Sequence, residues 1–212
     1  MREVTDSILG PNEALINGYV YRPADQRRKG SPFLEGDQWS RAQLFIEGKR
    51  YPGQSIRYNL VRDEILLKAI TDHDRVKLIE MNKYKLDSFR MKRGVFVNSR
   101  EFGLRGEEPT FYEVIANREI TFVRAYSKQF VDKYDLVTPY GKYSGVNTSR
   151  YIIHQGKLHS ADSRFSFLRF FDREDRRKIR RFIREQGIRY NKARESELTR
   201  LLNFCNDLIQ ST

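Results

Sequence analysis

Three histidines, one cysteine, scattered serines and a few carboxylate pairs are the residues of this chain whose types could support catalysis or hold a metal. His73 stands between Asp72 and Asp74 in a turn pattern, where short acidic side chains bond to nearby backbone amides. No other ligand is spaced around it as zinc requires. His154 and His159 flank a turn at Gln155-Gly156. With a two-residue loop they share one sheet face on a diagonal, and two imidazoles without a third ligand make an incomplete zinc set. The serines fall in turns or helix caps, and no Gly-x-Ser-x-Gly elbow is present. Cys205 lies on an apolar helical stripe, where a buried, inert thiol is expected. Neither standard glycine spacing for cradling phosphate occurs. Glu107-Glu108 and the Asp172/Asp175 pair read as loop solvation and helix capping, because an acid/base couple needs carboxylates in contrasting environments. The residues therefore predict a non-enzymatic chain with no cofactor and no metal.

The chemistry with the clearest pattern is cationic. Arg176, Arg177, Lys178, Arg180, Arg181 and Arg184 fall within nine residues beside an apolar stripe of Ile179, Phe182 and Ile183. At 3.6 residues per turn, 176, 180 and 184 stack with 177 and 181 into one face. Such a face can meet nucleic-acid phosphate, an anionic membrane component, or an acidic patch on a protein. An ordinary solvated helix surface is the competing reading. The abundant Tyr and Phe do not form the aromatic-basic strand signature of an RNA-reading sheet, so nucleic acid is the alternative rather than the first expectation.

The elements that must carry these residues are legible from hydrophobic period. In residues 36–70, Ile56, Tyr58 and Leu60 alternate with Arg57 and Asn59, after a turn at Glu47-Gly48-Lys49-Arg50 and before another at Val61-Arg62-Asp63. Alternation with period two puts the two sets on opposite sheet faces. The pattern continues through residues 76–97, a hairpin around Asn117-Arg118, a weaker stretch over 127–149 with a surface turn from Tyr140 to Gly145, and a last hairpin at Gln155-Gly156. Trp39, the only tryptophan, is expected to pack in the core. From Ser163 the period becomes helical: Phe165, Leu168 and Phe171 recur at helical spacing, Asp172 offers an N-cap, and Gly187 a helix stop. A further helix is expected from about Asn191, carrying Leu198, Leu201, Leu202, Cys205, Leu208 and Ile209 on one side.

The predicted class is thus mainly β (α+β): an antiparallel meander or partly open barrel followed by a C-terminal helical hairpin. Its divisions are an extended arm at 1–35 with one short strand at Tyr19–Tyr21, a β domain at 36–162, and the hairpin at 163–212. With 212 residues, 39% of them hydrophobic and 13% aromatic, the chain is long and apolar enough to bury a substantial core. Forty Lys and Arg against 28 Asp and Glu give a formal charge of +12 and a pI of about 9.8, which suits an anionic partner. One cysteine excludes an intrachain disulfide. No apolar run approaches the ~20 residues that span a bilayer, and the opening residues lack a signal-peptide core.

Pro32-Phe33-Leu34 with Asp37-Gln38-Trp39, Gly48-Lys49-Arg50-Tyr51, Arg57-Tyr58-Asn59 with Asp63-Glu64, and Phe111-Tyr112-Glu113-Val114 resemble a family of exported β-rich proteins of Bacteroidetes-type bacteria. Lys157-Leu158, Phe170-Phe171, the run Lys178 to Arg184 and the helix Glu195 to Leu202 are similar to the same family's C-terminal portion. The resemblance covers roughly residues 15–210, and its motifs are structural. It implies residence in the periplasm or at the periplasmic face of the outer membrane, with the export signal outside this sequence. It also implies a scaffold or accessory role, such as a plug-like subunit of an outer-membrane assembly or secretion complex. The partner is then an envelope protein or an anionic outer-membrane component; cytoplasmic nucleic-acid binding is the alternative.

Overall fold

A computed structural model describes residues 18–21, 27–70, 75–104, 106, 108–134 and 136–210. Most of the arm at 1–35, the turn around His73, and Glu107 lie outside the described residues. Eleven strands form one open antiparallel sheet, and three helices follow it. The strands are β1 (Gly18–Val20), β2 (Ser40–Ile46), β3 (Lys49–Asn59), β4 (Glu64–Ile70), β5 (Val76–Met81), β6 (Leu86–Arg90), β7 (Val95–Asn98), β8 (Phe111–Asn117), β9 (Thr121–Ser127), β12 (Asn147–His154) and β13 (Lys157–Ser160). Their order is β1-β5-β4-β3-β2-β6-β7-β8-β9-β12-β13. The meander runs in chain order from β2 to β5 and again from β6 to β9. Between these runs the chain returns, so that β6 pairs with β2 while β1 occupies the free side of β5. A separate two-stranded ribbon joins β10 (Phe130–Val131) to β11 (Lys142–Tyr143).

Turn chemistry sets the registers. Glu47 and Gly48 both take positive φ, 49° and 75°, as a two-residue hairpin between right-twisted strands requires. The Gly48 amide donates to Asp87 at 2.7 Å. At the next turn the Asn59 side chain accepts from the amides of Val61 and Arg62, and Asp63 sits at φ 53°. The expected last hairpin turns on Gln155-Gly156, again with both φ positive.

The described residues fall into two compact units. One is drawn from residues up to 98, 108–111 and 126–147. Its core holds Phe89 and Phe96 stacked at 4.7 Å, with Tyr58 edge-on to both at 5.3 and 5.6 Å. Such aromatic contacts add about 0.5–1.5 kcal/mol each beyond burial. Trp39 is not in this core. It is half-buried under the Arg57 guanidinium, which lies 4.3 Å from its ring and 5.3 Å from that of Phe33. The reason is the alternation itself: Ile56 and Tyr58 point one way, so Arg57 points the other, and the rings shield its stem. The stretch at 127–149 is also more structured than expected, since Lys142 and Tyr143 form β11 and the turn falls at Thr138–Gly141.

The second unit is drawn from 99–107, 112–125 and 148–210. In it the helices α1 (Arg164–Arg169), α2 (Arg173–Glu185) and α3 (Glu195–Gln210) lay their apolar faces on Ile120, Phe122 and Ile152 of the strand region. Ser163 and Ser166 form a reciprocal capping box that sets the phase of α1. That phase turns Phe167 and Leu168 inward and leaves Phe165 exposed, a correction to the expected stripe. The residues from Tyr190 to Lys192 form a 3-10 turn, so α3 begins at Glu195 rather than near Asn191.

Candidate partner-binding face on the helical hairpin

Local sequence dictates where α2 starts and stops. The Asp172 carboxylate accepts from the Asp175 amide at 2.8 Å, as an N-cap does. At the other end Gly187 takes φ 61°, its amide bonds to Arg184 O, and the Ile188 amide bonds to Ile183 O. This is the Schellman pattern, and a side chain at residue 187 would resist it. The chain then reverses into α3. Phe182 stacks on Phe204 at 4.2 Å and 7°, while Arg200 bonds to Gln186 at 3.0 Å, so α2 and α3 run antiparallel.

The six cationic residues singled out in the sequence do not all share one environment. Ile179 and Ile183 face the core, and Arg176 lies on their flank. It donates to Leu168 O at 2.9 Å, Phe171 O at 2.8 Å and Arg169 O at 3.3 Å, so its guanidinium gathers three carbonyls at the end of α1. Lys178 pairs with Glu174 at 2.8 Å and lies 3.8 Å from Asp175, and these contacts, Glu174 first, hold its ammonium above the usual range. Arg177, Arg180, Arg181 and Arg184 point to solvent, with no ion pair among the described residues. Arg173, which the sequence reading omitted, joins them one turn before Arg177. Its spacing of four from Arg177 was the available signal, obscured because it stands next to the capping aspartate.

This face costs the helix something. Like charges four apart, as in 173/177, 177/181 and 180/184, each oppose helix formation by about 0.2–0.5 kcal/mol. Beside the arginines, a groove of about 480 Å³ runs between α2 and α3. Its floor is Phe182, Phe204 and Leu208, and its rim carries Arg177, Lys178 and Arg181 with Glu174 and Glu185. A second depression of about 470 Å³ is lined by Arg164, Arg189 and Lys192 with Ile188 and Tyr190.

Cys205, Tyr190, His154 and His159 lie in packed surroundings. Burial in the α3 face pushes the Cys205 thiol far up, and burial likewise raises Tyr190, whose hydroxyl donates to Ala161 O at 2.5 Å. His154 and His159 share a sheet face, with ring centres 5.6 and 5.2 Å from that of Phe170. No cluster of three or more metal-ligating side chains exists among the described residues. No helix among them is long and apolar enough to cross a membrane. No protein-family model, curated protein or solved structure matches the chain.

Proposed function

We propose that this protein is a non-catalytic binding or scaffold component of the bacterial cell envelope that holds an acidic, amphipathic helix of a partner protein against the α2–α3 hairpin. One observation carries the reading: an apolar floor of Phe182, Phe204 and Leu208 runs beside arginines that form no ion pair among the described residues. An amphipathic helix laid there buries its apolar face in the groove and presents carboxylates to Arg177 and Arg181. The envelope placement rests on the resemblance to exported Bacteroidetes-type proteins, and a role as an accessory subunit of an outer-membrane assembly follows from the same source. The structural duties of Cys205, Tyr190 and Asp172 support the non-catalytic part, because each perturbed or paired group is accounted for by packing or capping.

The test replaces Arg177, Arg180 and Arg181 together by Glu. All three are exposed, so circular dichroism should be unchanged while capture of partners from envelope extracts falls at least about tenfold. Undiminished capture would overturn the reading. The high net charge favours a second reading, phosphate-backbone binding, and salt separates the two. Binding to single-stranded RNA would weaken linearly on a log-log plot against salt, whereas a contact with an apolar floor retains most of its affinity.

A further inference from the structure

The loop that closes the β10–β11 ribbon spans residues 132–141, and its described apolar side chains point into water. Leu136 is fully exposed, Val137 is 73% exposed and Tyr134 is 63% exposed. Tyr140 completes the set at the far side of the loop. Single exposed apolar residues are ordinary, but four within seven positions on one projecting tip are not. The base of the loop is packed and hydrogen-bonded. Phe130 meets Tyr143 edge-on at 5.6 Å, Thr138 is buried, and the Gly141 amide closes a turn onto Thr138 O. Gly141 has φ 76°, and a Cβ there would stand 2.6 Å from the Phe130 ring and 2.9 Å from Val131 O. The tip is therefore held out from a braced stem.

Cations surround it. The Arg27 guanidinium lies 4.0 Å over the Tyr140 ring and that of Arg28 4.2 Å over Phe130. Lys29 is tied to the ribbon through Tyr143 and Gly141, and Lys133 and Lys142 are exposed on it. Five cations thus flank the tip against two acids in sequence, Asp132 and Asp135.

We infer that the side chains of Tyr134, Leu136, Val137 and Tyr140 enter the interface of an anionic lipid surface. A convex tip of one leucine, one valine and two tyrosines suits the headgroup–acyl boundary, where tyrosine keeps its hydroxyl wet and its ring buried. The flanking Arg and Lys meet the lipid phosphates at the same depth. A protein pocket would need a concave complement to Leu136, and the charge around the tip supplies no reason for one. The contact is independent of the α2–α3 groove, and the experiment keeps the two apart.

The 212-residue chain is sedimented with vesicles of phosphatidylcholine alone or with about 30% phosphatidylglycerol. The wild type should bind the anionic vesicles, and a chain carrying Leu136→Glu and Val137→Glu should bind them at least about tenfold more weakly. Both sites are exposed, so the variant should keep the wild-type circular dichroism. A second chain carrying Leu136→Cys is labelled with a polarity-sensitive dye, the native Cys205 being buried and its thiol pushed up. The dye should shift to the blue with anionic vesicles, and should do so equally when Arg177, Arg180 and Arg181 are Glu. Equal sedimentation of wild type and double variant, or an unshifted dye, overturns the inference. So does a blue shift that appears without lipid as protein concentration rises, which would assign the tip to contact between copies of the chain.

Discussion

Single residues in this protein divide between those that satisfy the fold and those that the fold leaves unsatisfied. Asp63 belongs to the first group and shows what burial costs. The Tyr58 hydroxyl donates to its carboxylate, yet burial outweighs that bond and holds the carboxyl above the usual carboxylate range. Glu64 beside it is raised by the same cause. A raised acid keeps its proton longer in the folded state than in the unfolded one, so the folded state binds more protons in between. Its stabilising contribution is complete below about pH 4 and is lost as pH rises through the folded value. Replacing Asp63 by Asn should therefore remove part of the fall in stability above about pH 4, seen as a flatter plot of urea-unfolding free energy against pH. A slope identical to that of the wild type would refute the assignment.

At the scale of elements, neighbouring arginines on α2 serve different ends because the helix turns by about 100° per residue. Arg176 faces the end of α1 and closes three carbonyls there; Arg177 faces solvent. Arg176→Ala should thus lower stability by about 1–3 kcal/mol, since two part-buried carbonyls and one exposed carbonyl lose a charged donor. Arg177→Ala should stay within about 0.5 kcal/mol of wild type. Urea midpoints measure the first effect and partner capture the second. If the two substitutions cost the same stability, the separation of cap from contact face is wrong. The Schellman stop at Gly187 gives this hairpin its reversal, and the Phe182–Phe204 stack sets how deep the groove beside it lies.

For the molecule as a whole, 40 Lys and Arg outnumber 28 Asp and Glu, a formal charge of +12. At low ionic strength the excess cations repel one another and weaken the compact state. Raising salt from about 0.01 to 0.15 M shortens the screening length from about 30 to about 8 Å. The thermal midpoint should rise over that range, while affinity for a partner seated on the apolar floor of the groove falls far less than phosphate-backbone binding would. A midpoint that drops with salt would mean that internal ion pairs outweigh the repulsion. The exposed pairs argue against that outcome, because contacts such as Lys178–Glu174 are screened by water and contribute little.

The antiparallel sheet, the helical C-terminus, the caps at Asp172 and Gly187, and the turns at Glu47-Gly48 and Gln155-Gly156 were legible in the sequence. Each depends on residues adjacent in the chain: a period of two or 3.6, a capping side chain, a glycine free to take positive φ. The return that seats β6 beside β2 was not legible, because it depends on which strand edge is vacant after β5 has paired with β1. Nor was the inward turn of Arg176, the half-burial of Trp39 under Arg57, or the exposure of Leu136 on the loop of the ribbon. Those were decided when elements distant in sequence met, since the direction a side chain faces is settled by what packs on the other side of it.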